Sequence, residues 1–90
     1  MTEVRRTVLI ANVRGLHARA SAKFVTLASG LHCDVTVEKD GAAVTGTSIM
    51  GLMMLGAAKG DSITISATGD GAEAAVATLA ALVEAKFDEE

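Results

Sequence analysis

Cys33-Asp34-Val35-Thr36-Val37-Glu38-Lys39-Asp40-Gly41-Ala42-Ala43-Val44-Thr45 is the stretch on which the fold turns. Its first seven residues alternate with a period of two. Cys33, Val35, Val37 and Lys39 fall on one face of a strand, Asp34, Thr36 and Glu38 on the other. Asp-Gly is the strongest short-range signal for a two-residue hairpin loop, so residues 42–45 read as the return strand. On the N-terminal side the period changes. Ala20, Phe24, Leu27, Ala28 and Leu31 form one stripe of a helix over residues 18–29, with Arg19, Lys23 and Ser29 turned away and Gly30 at the position of a left-handed terminator. Before it come a loop, Asn12-Val13-Arg14-Gly15, and a strand over 4–11 with Val4, Arg6, Val8 and Ile10 on one face. On the C-terminal side, Thr47-Ser48 can cap a short helix over 49–55, ended by Gly56 and weakened by Gly51. Residues 61–68 alternate again, with Ile63, Ile65 and Ala67 inward and Ser62, Thr64, Ser66 and Thr68 outward. Asp70-Gly71-Ala72-Glu73 reads as a variant of the capping box. It opens a last helix with the stripe Ala72, Ala75, Val76, Leu79, Leu82, Val83 and then Lys86 or Phe87, followed by a frayed tail, Asp88-Glu89-Glu90. The order β-α-β-β-α-β-α predicts a two-layer α+β sandwich: helices on one face of a four-stranded sheet, water on the other.

The 90 residues, half of them apolar, are enough for one domain spanning 1–90 and too few for a second core. No apolar run approaches the ~20 residues of a membrane span. The N-terminus has no export signal, and a lone cysteine forms no internal disulfide, so a cytoplasmic protein is expected. The net charge of −3, with no Trp or Tyr, excludes nucleic acid as the expected partner. The charge is unevenly placed. Residues 1–30 carry Arg5, Arg6, Arg14, Arg19 and Lys23 against Glu3 alone, a balance of +4, and the remainder carries −7. A basic first third on an acidic chain points to an anionic ligand or an acidic partner at that end.

Gly15-Leu16-His17-Ala18-Arg19 holds the first candidate chemistry. His17 falls at the N-cap of the first helix, where unpaired backbone N–H groups and the positive end of the helix dipole make an anion site. Arg19 lies in the first turn, where a cation opposes the dipole by up to ~1 kcal/mol, a placement easier to understand if an anion visits. The dipole favours a neutral imidazole, and a neutral ring nitrogen is a nucleophile. The residues alone leave two readings open: a phosphohistidine site, or a histidine that merely caps its helix in a small-ligand-binding domain. His32 and Cys33 are adjacent but lack a second ligand pair, so no metal site is expected.

Gly15-Leu16-His17-Ala18-Arg19-Ala20-Ser21 resembles the active-site signature of the HPr family, the histidine-containing phosphocarriers of the phosphoenolpyruvate-dependent phosphotransferase system. Thr47-Ser48-Ile49-Met50-Gly51-Leu52-Met53-Met54-Leu55 resembles the family's second signature, with Ser48 31 positions after His17. The resemblance implies an open-faced β-sandwich with an antiparallel sheet in order 1-4-2-3 and three helices, monomeric, with no metal or bound cofactor. It implies that His17 accepts a phosphoryl group on Nδ1 from Enzyme I, that Arg19 holds the phosphoryl oxygens, and that a histidine of a IIA domain receives the group. It implies that Ser48 is the site of an HPr kinase. Arg14, Ala20, Lys23, Ile49, Met50 and Met53 become the expected partner-binding surface, with Leu52 and Leu55 inside. Ala18 and Ala20 depart from the residues common in the family, Thr or Ser and Pro, and affect helix entry rather than chemistry. The methionine-rich second signature is similar to nitrogen-type or regulatory members. That suggests an alternative role as a module whose phosphorylation state is read by partner proteins without sugar transport.

Overall fold

A computed structural model describes residues 3–89; Met1, Thr2 and the last residue of the expected frayed tail, Glu90, lie outside the described residues. The chain runs β1 (Glu3–Leu9), α1 (Ala18–Ser29), β2 (Asp34–Lys39), β3 (Ala42–Thr45), α2 (Ile49–Met54), β4 (Ser62–Thr68) and α3 (Ala72–Glu84), then a single turn, Lys86–Asp88. Among the described residues the strands make one antiparallel sheet in the order β1-β4-β2-β3. The hairpin forms at Asp40-Gly41, where both residues take positive φ, 52° and 86°, as a two-residue loop between right-twisted strands requires.

The core lies between one face of the sheet and the helices. Val8, Val35, Val37, Ile63, Ile65 and Ala67 meet Phe24 and Ala28 of α1, Leu52 of α2 and the stripe Ala72, Ala75, Val76, Leu79 and Val83 of α3. Phe87, not Lys86, completes that stripe and is fully buried. Arg6 shares the inward face of β1 yet stays wet: it sits at the sheet's outer edge, and its guanidinium pairs with Glu84 of α3 at 3.5 Å.

Several local expectations change. The alternation of β4 puts Ser66 on the wet face, yet it is buried. It pairs with Arg5 on one side and Thr36 on the other, and Arg5 reaches across β4 to Glu38 at 3.0 Å. Gly30 ends α1 in the right-handed conformation, its N–H bonded to Leu27 and Ala28 carbonyls, so it is the last turn of the helix rather than a left-handed stop. The capping box at Asp70 does not form. Gly71 occupies the N-cap with φ 78° and has no side chain to offer, while Asp70 is exposed. The tail is not frayed through residue 89: Asp88 N–H bonds to Ala85 O at 3.0 Å and Glu89 N–H to Lys86 O at 2.9 Å.

Candidate functional site

The fold brings the loop after β1 against the loop before β4. The β1–β4 pairing continues past the strands, with Ile10 N–H on Asp61 O at 2.8 Å and Gly60 N–H on Ile10 O at 2.9 Å. The chain then turns at Gly15, whose φ is +63° and whose Cα faces the backbone of Ala57 so closely that a Cβ would lie 2.3 Å from Ala57 O. Leu16 N–H bonds to that same oxygen at 3.0 Å. This contact fixes where α1 begins, and with it His17.

His17 caps α1 as the sequence predicts. Its backbone is extended, its carbonyl accepts from Ser21 N–H at 2.9 Å, and its Nδ1 accepts from Arg19 N–H at 3.3 Å. The buried Ser21 hydroxyl, 3.2 Å from Leu16 O, ties the first turn to the loop. Val13, Arg14, His17, Arg19 and Glu89 line a cleft of about 380 Å³. Of the five cations in the basic first third, Arg5 pairs with carboxylates on the sheet, Arg6 pairs with Glu84 of α3, and Lys23 donates to Phe87 O at 2.8 Å. Arg14 and Arg19 are exposed and form no ion pair among the described residues, so two guanidiniums flank the cleft with donors to spare.

Two residues at the site are not candidates of the sequence reading. Glu89 places Oε2 2.5 Å from His17 Nε2. Asn12 is wholly buried and donates Nδ2 to Gly15 O at 2.8 Å and to Glu89 Oε1 at 3.1 Å, two acceptors that fix its amide orientation. The hydrogen bond from His17, against an opposing effect of burial, holds the Glu89 carboxyl below its ordinary range, with help from Asn12 and the charge of Lys23. The signal available in the sequence was Phe87: an apolar anchor at the end of the helix stripe pins the chain two residues before Glu89.

Ser48 caps α2, its Oγ accepting from Gly51 N–H at 2.9 Å. Gly51 is there for space: a Cβ would stand 3.0 Å from both Ser48 Oγ and Val44 Cβ. Leu52 and Leu55 face inward, while Ile49, Met50 and Met53 are exposed together with Met54, which at 79% is the most open of the four. Ala20, expected on the partner surface, is fully buried on the inward face of α1 and has no surface to offer. Lys23 is half-buried, its ammonium engaged by the C-terminal turn. Neither Ser48 nor the α2 side chains line the His17 cleft. His32 is exposed, and among the described residues no cluster of three or more His, Cys, Asp or Glu could hold a metal ion. No helix of the described chain is long and apolar enough to cross a membrane.

Residues 4–85 match the family model described as PTS HPr component phosphorylation site. The chain is similar to phosphocarrier protein NPr of Shewanella violacea, 42% identical over 99% of this chain and 98% of that one. It is similar to phosphocarrier protein HPr of Neisseria meningitidis, 43% identical over 96% and 97%. Among solved structures, HPr from Thermoanaerobacter tengcongensis superposes with a TM-score of 0.90 at 47% identity, covering 100% of this chain and 99% of that one.

Proposed function

The chain belongs to the HPr family of phosphocarriers of the phosphotransferase system, and from that premise we propose that His17 is the residue that carries the phosphoryl group. The observation that carries this reading is the placement of His17. A histidine caps α1 with Nδ1 beside the helix's N-terminal N–H groups, in a cleft flanked by two guanidiniums that form no ion pair among the described residues. Arg19 and Arg14 meet the phosphoryl oxygens, and the Arg19 amide, which holds Nδ1 in the free protein, turns its donor to a phosphoryl oxygen once Nδ1 is bonded to phosphorus. Enzyme I of the cytoplasm is the donor and a histidine of a IIA domain the acceptor. Both dock on one surface, formed by Arg14 and Arg19 beside Ile49, Met50, Met53 and Met54. Flexible methionines suit a face that must fit several partners. Ser48, at the edge of that face, is the site of a second, regulatory phosphorylation by an HPr kinase. A dianion there suits a helix N-terminus but must be desolvated against an apolar, acid-rimmed partner.

The test is intact-mass measurement after incubation with phosphoenolpyruvate and Enzyme I. The parent gains one acid-labile phosphoryl group and His17→Ala gains none. A gain in the alanine variant moves the site elsewhere, with His32 next in line.

A further inference from the structure

We propose that Glu89 is a positioning residue for phosphoryl transfer: its carboxylate, on Nε2 of His17, fixes the ring so that Nδ1 keeps its electron pair free for phosphorus. This inference rests on the phosphocarrier reading of His17.

The two ring nitrogens meet opposite partners. Oε2 of Glu89 lies 2.5 Å from Nε2, and an ionised carboxylate can only accept, so Nε2 carries the proton. On the other side, the Arg19 backbone N–H, 3.3 Å from Nδ1, can only donate, so Nδ1 carries the lone pair. The two contacts select one tautomer and one ring orientation.

The carboxylate is itself held. Its second oxygen accepts from Asn12 Nδ2 at 3.1 Å, and Asn12 is locked to the Gly15 carbonyl, so the acid is tied to the loop that sets His17. The chain leading to it is anchored and bent for the purpose. Phe87 is buried without exposure, and Lys23 Nζ grips its carbonyl at 2.8 Å. Lys86, Phe87 and Asp88 all take left-handed φ, 58°, 54° and 63°, a conformation that side chains disfavour. That turn is what directs residue 89 back over His17 rather than into solvent. With its titration held below the ordinary carboxyl range, Glu89 is ionised at neutral pH.

During transfer Nδ1 bonds to phosphorus as the bond from phosphorus to the donor breaks, and that electron pair returns to the donor. The Nε2 proton stays on the His17 ring, which gains positive charge, and the carboxylate faces that charge. When the group leaves, the electron pair returns to Nδ1. The arrangement is that of a carboxylate orienting a catalytic imidazole, with no proton passing to the acid.

Two measurements on the full chain test this. In protein labelled with ¹⁵N, the parent should show a slowly exchanging Nε2–H signal for His17, lost in Glu89→Ala and retained with a changed shift in Glu89→Gln. With Enzyme I and phosphoenolpyruvate, the transfer rate at saturating carrier should fall at least about tenfold in Glu89→Ala, the scale for losing a partner that orients a histidine. The carrier concentration at half-maximal rate should change little, and Glu89→Gln should recover part of the rate. An Nε2–H signal and saturating rate in Glu89→Ala equal to the parent's would overturn the inference. So would a variant that needs more carrier but reaches the parent's rate, which would make Glu89 a docking residue, or one that transfers faster, which would make it an obstruction. A parent that gains no phosphoryl on His17 would instead sink the phosphocarrier reading, and the ring signal would still judge the contact.

Discussion

Alanine at Gly15 should damage the site through the backbone alone. The position has φ +63°, where a non-glycine residue costs about 1–2 kcal/mol. Strain is the smaller part. The new Cβ would lie 2.3 Å from Ala57 O and 2.8 Å from Ala58 Cα, both backbone atoms that cannot swing aside as a side chain could. Restoring ordinary contact requires the loop to retreat by roughly 1 Å. The buried bond from Leu16 N–H to Ala57 O, now 3.0 Å, then fails, at about 1–3 kcal/mol. Together these give about 2–5 kcal/mol, which for a chain of this size lowers Tm by roughly 10–30 °C. Because Leu16 precedes His17, the proposed nucleophile moves with the loop, and transfer should drop in the variant even well below its Tm. Gly41→Ala is the control: its φ is +86° but nothing lies within 4 Å of the added carbon, so it meets strain without a clash and lies far from His17 in the chain. It should cost only about 1–2 kcal/mol and leave transfer unchanged. Thermal unfolding by circular dichroism, with transfer from Enzyme I measured well below each variant's Tm, checks both. A Gly15→Ala protein within about 3 °C of the parent, transferring at the parent's rate, would refute the close-approach argument.

Arg19→Ala should slow phosphoryl transfer to His17 by about 10²-fold without abolishing it, since a charge aimed at the phosphoryl oxygens goes while the nucleophile stays; rapid-quench kinetics at saturating Enzyme I measure it. Met50 is 71% exposed, so Met50→Asp should weaken binding to Enzyme I in calorimetric titration while moving Tm by no more than about 2–4 °C, what a surface change within about 0.5 kcal/mol allows. Ser48→Ala removes the cap on Gly51 N–H and should cost about 1 kcal/mol in denaturant unfolding; Ser48→Asp should keep the cap yet need more carrier to reach the same rate of His17 phosphorylation. Folding lowers the Glu89 titration below its ordinary 4.5, so its contact stabilises the protein above that value and is lost as the pH falls through the lower folded one. The Tm difference between parent and Glu89→Gln should therefore be present at pH 7 and close in strongly acid solution.

What the sequence makes legible is what neighbouring residues decide. The Asp40-Gly41 hairpin, the caps at His17 and Ser48 and the inward Ile63, Ile65 and Ala67 follow from periods and turn chemistry within a few positions. The expected capping box at Asp70 fails because a glycine next to it can take φ 78° and start the helix one residue later without a side-chain bond. Ser66 alternates correctly but sits on the central strand, where neighbours on both sides close over it. Ala20 belongs at once to the signature around His17 and to the inward stripe of α1, and packing decides that it is core. Glu89 is 72 residues from His17, and no local pattern links a tail carboxylate to a helix cap so far away.

That distance explains why the site depends on the whole topology. Antiparallel pairing of β1 with β4, carried past the strand ends through Ile10, Gly60 and Asp61, puts Ala57 where Gly15 must turn. The packing of α3 on the same two strands carries its C-terminus toward the start of α1, and Phe87 fixes it there. Three separate segments thus converge on one imidazole. The loop sets its height, the helix N-terminus faces Nδ1, and the C-terminal turn holds Nε2. Here opposite partners on its two nitrogens leave a single atom with a free electron pair, in a cleft whose only unpaired charges among the described residues are two arginines. An anion that enters meets those guanidiniums and the proposed nucleophile together, and that coincidence, rather than the histidine itself, is what supports the proposed phosphoryl-carrying role.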